Sequence, residues 1–381
     1  MAEAPPHRPR VSLILHKFSR GGSDRVAAYL ANGFAAAGMD VEMIVLCRGG
    51  EVEALLTDRV DDIPVTYLGR ASASRGWDLI RTFPRLVSHL KASRPDAAIS
   101  TANNTSLATA FALRFAGLRR ARLLLKTTNP IASSRHRGIA CAVRRLSYAL
   151  IFRWTSAVWT LSADESAEMR AAFPRFKTLF RVVHNPYVTR AMLAPADKAR
   201  AATGKTVISV ARLTAQKRLD RLIAAFARVA DKDSRLVILG EGEERAALER
   251  QVRDLGLDGR VSLPGYAADV AAALHSADLF VLTSDYEGLP AAVLEAIAAN
   301  CPVLCTDCFP AARTLLDGAE GCALITDTAP AALARQIDSG LAVPRPTRLR
   351  AIADLYSIDN GIRSHVAALE ESLGCEPRAR G

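Results

Sequence analysis

Short apolar runs alternate with longer stretches of helical period along most of this 381-residue chain. Residues 11–15, 41–46, 97–100, 122–127 and 157–161 are short, mainly apolar runs, the pattern of strands buried on both faces. Residues 64–68 form a shorter run of the same kind. Between them lie helical patterns at 26–38, closed by Gly38, and at 77–93, kinked or started at Pro84. Two more follow at 106–117 and at 165–172, the last capped by Ser162 with Asp164 and Glu165 in its first turn. The second half repeats the rhythm at 207–229, 236–265 and 279–307. Strand followed by helix, many times over, predicts an α/β protein with parallel sheets covered on both faces.

The most informative stretch is 279–307, LFVLTSDYEGLPAAVLEAIAANCPVLCTD. An apolar run at 279–283 leads into a polar loop carrying Glu287, Gly288, Leu289 and Pro290. A helix follows at 291–300 with Glu295 in its second turn, and a second apolar run at 302–306 closes a βαβ unit. Pro290 suits a first helical turn, where a missing N–H costs nothing. Such a loop lies at the carboxyl end of its strand, where open sheets bind ligands. The helix start offers free N–H groups to a phosphate, and two carboxylates beside it suit hydroxyl-rich groups such as ribose and hexose. At 207–229, Arg212 and Lys217 stand five residues apart at the end of a strand. A guanidinium fork and an ammonium so placed can close on a diphosphate from two sides.

Glu287 and Glu295 in 279–307 resemble the E-x7-E motif of retaining glycosyltransferases of family four, which have the GT-B architecture. Arg212 and Lys217 are similar to that family's R-x4-K turn, and 236–265 to its strand, G-x-G turn, helix and strand. Near the start, Gly21, Gly22 and Arg25 follow an apolar strand as the family's Gly-Gly loop does. The resemblance spans roughly 11–310. It implies two Rossmann-like doubly wound domains with the active site in the cleft between them. The first, 1–186 with 1–10 as an unstructured lead, would bind the acceptor. The second, 187–355, would bind a nucleotide sugar, and 356–381 would return as a helix to the first.

By the same resemblance, Arg212 and Lys217 neutralise the leaving diphosphate and Glu287 binds the transferred sugar beside the N–H groups of Gly288 and Leu289. Glu295 accepts from the ribose, and Tyr266 reads the base through its backbone. Gly21 and Gly22 let the first domain approach the phosphates. Transfer would retain the anomeric configuration, from a UDP-linked donor to a glycan or lipid-linked acceptor of a cell-surface polysaccharide, without metal or cofactor. Two departures stand out. Arg218 replaces the family's usual Gly after the Lys, and the segment KTTNP lacks the His that many relatives place near the sugar. Lys126 and Asn129 are the acceptor- or sugar-proximal candidates there, with an ordinary surface lysine as the bland reading of Lys126.

Charge adds a partner. Residues 1–190 carry 28 Lys or Arg against 14 Asp or Glu, whereas 191–381 carry 22 against 25. No acid occurs in 97–163, and aromatic and aliphatic residues are interleaved with the arginines of 114–153. Residues 139–152 mix apolar bulk with Arg144 and Arg145, as an interfacial helix does. The basic region is thus expected on an anionic membrane surface, in preference to a plain solvated face or to nucleic acid. No run approaches a membrane span and the first ten residues lack an apolar signal core, so the expected location is cytoplasmic, peripheral on the inner membrane face. Cys301, Cys305 and Cys308 have a C-x3-C-x2-C spacing, but the expected strand through Cys305 points it away from a shared cluster. The rival functions are a sugar-nucleotide epimerase or phosphorylase of the same architecture, and a non-catalytic membrane-docked binding protein.

Overall fold

The computed structural model describes residues 8–18, 21–49, 63–72, 74–131, 138–194 and 204–374. They form two compact units, one of the described residues up to 186 together with 358–374 and one of those within 187–357.

The first unit is built on a parallel seven-stranded sheet in the order β3-β2-β1-β4-β5-β6-β7. Its strands are β1 (Arg10–Leu15), β2 (Asp40–Val45), β3 (Val65–Tyr67), β4 (Ala97–Ser100), β5 (Arg122–Lys126), β6 (Thr155–Thr160) and β7 (Phe180–Val182). Every residue of β4 and all but the first of β1 and β5 are buried, as parallel strands covered on both faces require. The helices Gly22–Ala36, Arg75–Ser93, Asn103–Phe115, Ile139–Phe152 and Ala163–Ala172 connect them. Two of these begin three or four residues earlier than the periodicity suggests. Gly22–Ala36 starts four residues before Val26, and Asn103–Phe115 starts three before Ser106, because polar first turns carry no apolar signal. Pro84 neither starts nor breaks its helix. Ser74 caps the true start by accepting from the Trp77 N–H at 3.4 Å, and Pro84 lies on the exposed face, where water can solvate the carbonyl it leaves unbonded. Ser162 caps the helix Ala163–Ala172 by accepting from the Glu165 N–H at 3.0 Å. The Glu165 carboxylate in turn accepts from the N–H of Leu161, the residue before the cap, at 2.7 Å. The last helix, Ile358–Leu373, joins this unit and packs on Gly22–Ala36.

The second unit carries a parallel six-stranded sheet in the order β10-β9-β8-β11-β12-β13. These strands are β8 (Thr206–Val210), β9 (Arg235–Leu239), β10 (Val261–Gly265), β11 (Leu279–Leu282), β12 (Val303–Thr306) and β13 (Cys322–Ile325). Its core joins Val207, Ile238, Val281 and Leu304 of the sheet to Leu222, Phe226 and Ile337 of the covering helices. In both sheets the strand order reverses once, between β1 and β4 and between β8 and β11. Those are the switch points beside which open sheets hold ligands.

Candidate functional site

In the second unit, the two loops at the β8/β11 switch point carry the candidate residues. After β8 the chain turns through Arg212 and a single 3-10 turn, Ala215–Lys217, into the helix Leu219–Phe226. After β11 it passes Glu287 and Pro290 into the helix Ala291–Ala298, whose start no side chain caps.

The two loops are tied together by hydrogen bonds. Thr283 Oγ1 donates to the carbonyls of Lys217 and Arg218, at 3.1 and 2.9 Å alternatively. The Asp285 N–H donates to the Gln216 carbonyl at 2.9 Å, and Gln216 Nε2 donates to the Tyr286 carbonyl at 2.7 Å. Thr306 Oγ1 donates to the Ser284 carbonyl at 2.7 Å from the next strand. The Glu287 N–H donates to the Cys308 carbonyl at 2.7 Å. Lys217 Nζ donates to Glu287 Oε1 across the junction in a largely buried ion pair. Thus Lys217 and Glu287, seventy positions apart, are brought into contact.

Glu287 and Glu295 are buried, as are Gly288 and Leu289 on the same turn. Arg212 is exposed, and among the described residues it makes no ion pair. Tyr266 is exposed and follows Gly265 at the end of β10.

Arg218, where the family pattern has Gly, has φ +50° and ψ +42°. The position demands a left-handed backbone, which explains the usual Gly. Here the side chain is held by Asp220, with Nε and Nη2 each 3.1 Å from a carboxylate oxygen, and by Asp285 at 3.5 Å. Two residues that sequence reasoning left without a task also shape this loop. Gly240 and Gly242, from the G-x-G turn, pass so close to it that a Cβ would strike the carbonyl oxygens of Ala211 and Leu213.

In the first unit, Gly21 caps the helix Gly22–Ala36 after β1, at the other switch point. Asn103, which opens the helix after β4, was not singled out from the sequence, and no spacing marks it. Its Oδ1 accepts from the Thr128 N–H at 3.0 Å and its Nδ2 donates to the Asn129 carbonyl at 2.7 Å, so it holds the turn that presents the exposed Asn129.

Lys126 departs from the surface reading, being fully buried at the end of β5. Burial pushes its ammonium down to about 7 against the opposing pull of Glu165, and the same burial pushes the Glu165 carboxyl up. His365, buried edge-on against Trp159 at 5.2 Å, is driven down to about 3 by burial and then by the Lys126 charge. A Lys126 so enclosed shapes the strand end that leads to Asn129, rather than offering its own ammonium to solvent.

The arginine-rich helix Ile139–Phe152 buries Tyr148, Ile151 and Phe152 and exposes Ile139, Val143, Leu146 and Leu150. Those four recur at helical spacing and form one apolar stripe, with the exposed Arg144 and Arg145 alongside. Among the described residues no helix is long and apolar enough to cross a membrane. Cys301, Cys305 and Cys308 are buried, and the first two point at the Ala277 and Thr306 carbonyls, at 3.8 and 3.0 Å.

Comparison with known proteins gives a consistent result. Residues 194–354 match the family described as Glycosyl transferases group 1, and residues 21–186 match the Glycosyl transferase 4-like domain. An uncharacterized glycosyltransferase of Methanocaldococcus jannaschii is 29% identical over 203 residues, 51% of this chain and 50% of that protein, so the chain matches only half of that relative. The amylovoran biosynthesis glycosyltransferase AmsD of Erwinia amylovora is 25% identical over 289 residues, 76% of this chain and 78% of that one. Among solved structures, HepE of Anabaena, in complex with UDP and glucose, superposes with a TM-score of 0.76 at 18% identity, covering 96% of this chain and 100% of that one. That likeness shows the GT-B fold.

Proposed function

The chain belongs to the group 1 glycosyl transferases, and from that membership we propose that it transfers a sugar, with retention, from UDP to a glycan or lipid-linked acceptor in cell-surface polysaccharide synthesis. The observation that carries the reading is the pairing of Lys217 with Glu287 at the β8/β11 switch point. That pair sets a cation and a carboxylate together where an α/β sheet receives a nucleotide. UDP is the proposed carrier because HepE, alike in fold, holds UDP and glucose. A polysaccharide role follows the name of the Erwinia relative.

The residues then have distinct tasks. Arg212, exposed at the end of its loop, and Lys217 neutralise the diphosphate as it leaves, placing positive charge where negative charge develops. An ammonium has three donors, so Lys217 can keep Glu287 and still donate to phosphate oxygens. Glu287 orients the sugar with the backbone of Gly288 and Leu289. Glu295 accepts from the ribose, and the backbone at Tyr266 meets the base. The first unit receives the acceptor, with Asn129 as a polar contact, while the buried Lys126 supports the strand end behind it. The apolar stripe on Ile139–Phe152, with its arginines, docks the protein on an anionic membrane surface, which suits a lipid-linked acceptor.

Donor hydrolysis and transfer, measured across a panel of nucleotide sugars for the wild type and for Arg212→Ala, Lys217→Ala and Glu295→Ala, test this reading. Each lost contact should cost about 2–4 kcal/mol in the transition state, roughly 30- to 1000-fold in rate. Folded variants with the full rate would refute the roles, and wild-type binding of UDP-sugar without turnover would favour a non-catalytic binder.

A further inference from the structure

Three side chains with metal-binding atoms, none of them a candidate site residue above, meet in the first unit. His16 follows β1, Cys47 follows β2, and Asp78 lies in the first turn of the helix Arg75–Ser93. All three are buried, and their ligand atoms lie within 4.8 Å of one another. Among the described residues no other group of three or more such ligands converges in this way.

Two details show how the cluster is arranged. His16 Nε2 is buried yet has no hydrogen-bond partner, and it stands 3.4 Å from Asp78 Oδ2. Buried imidazole nitrogens ordinarily make a well-aligned hydrogen bond, and this one instead faces a carboxylate oxygen and a thiol, as a metal ligand does. Meanwhile Asp78 Oδ1 accepts from the Ser72 N–H at 2.8 Å, which fixes the carboxylate and leaves Oδ2 turned to the cluster. Outer hydrogen bonds of this kind orient ligating carboxylates in metal sites. The backbone supports the same convergence, since the Cys47 N–H donates to the His16 carbonyl at 2.8 Å.

We propose that His16 Nε2, Cys47 Sγ and Asp78 Oδ2 form a zinc site that ties the ends of β1 and β2 to the start of the helix Arg75–Ser93. One nitrogen, one sulfur and one oxygen suit Zn2+, while the thiolate disfavours Mg2+ and Ca2+. At zinc–ligand lengths of about 2.0–2.3 Å, tetrahedral neighbours stand roughly 3.3–3.8 Å apart, so closure from 4.8 Å takes a shift of about 1 Å. Three protein ligands leave the fourth position to water. Binding replaces the Cys47 S–H bond with an S–Zn bond and releases that proton to solvent, while neutral His16 and the Asp78 carboxylate add as they are. The complex of Zn2+ with one thiolate and one carboxylate carries no net charge, which suits a buried position. The site fixes His16, five residues before Gly21, without touching substrate.

The test uses the full chain without a metal-binding tag. Metal content is measured as purified, and the chelator-stripped protein is then titrated with Zn2+ against a competing dye and with Co2+ by absorbance. Expected are one zinc per chain, proton release on binding, and a thiolate-to-cobalt charge-transfer band. Cys47→Ser should remove the band, and His16→Gln and Asp78→Asn should each weaken zinc at least tenfold. Wild-type protein that binds no zinc, or cobalt bound without the thiolate band, would overturn the proposal even if every variant failed to fold. Unchanged affinity in folded Cys47→Ser would overturn it equally.

Discussion

At the scale of single residues, Arg218 and Lys126 mark opposite limits of what a sequence reveals. The R-x4-K pattern makes an unusual Arg218 visible, and its φ of +50° supplies the reason. Arg218→Gly should relieve about 1 kcal/mol of left-handed strain and lose half-exposed ion pairs worth up to about 1 kcal/mol, leaving stability unchanged or slightly raised. Denaturant unfolding checks this, and a loss of more than about 1 kcal/mol would contradict it. The burial of Lys126 was not legible, because a polar residue at a strand end looks the same whether solvent or a last helix covers it. Its lowered folded value gives a signed prediction. Between about 7 and 10.5 the unfolded chain holds the lysine proton that the native state has released, so the lysine's contribution to stability rises with pH across that window. The unfolding free energy of wild type minus that of Lys126→Met should therefore increase from pH 7 to pH 10. A flat or falling difference would show that the ammonium stays charged in the fold.

At the scale of elements, apolar runs revealed most strands, while helix starts were read late wherever polar turns opened them. The G-x-G turn was legible as a motif but not as a packing device, because its contact with the loop of Arg212 joins segments about thirty residues apart. Gly240→Ala forces a Cβ into the Ala211 carbonyl at a φ of +140°, and should cost about 2–4 kcal/mol of stability and weaken donor binding together. Calorimetric melting and nucleotide titration of that variant check both effects. The helix Ile139–Phe152 carries the membrane prediction. Wild-type protein should float with anionic vesicles at low salt and release as salt rises, and Leu146→Glu should remain in the soluble fraction. Equal flotation by wild type and Leu146→Glu would contradict a role for the stripe.

At the scale of the whole molecule, a chain of repeating strand and helix could be read as α/β, but not its strand order. Reversal between β8 and β11 is a property of the sheet, and it turns Lys217 and Glu287 from separate motifs into a buried pair. The convergence of His16, Cys47 and Asp78 was illegible for the same reason, since no spacing motif joins positions so far apart. The capture of Ile358–Leu373 by the first unit follows from contacts that local periodicity does not encode.

The central claim is that Arg212 and Lys217 grip a nucleoside diphosphate at the second unit's switch point. Calorimetric titration of the full chain with UDP tests it most directly, with Arg212→Ala and Lys217→Ala titrated alongside. One UDP should bind per wild-type chain, and each folded variant should bind at least tenfold more weakly, about 1.4 kcal/mol for each lost charge contact. Equal affinity in all three proteins would contradict the account.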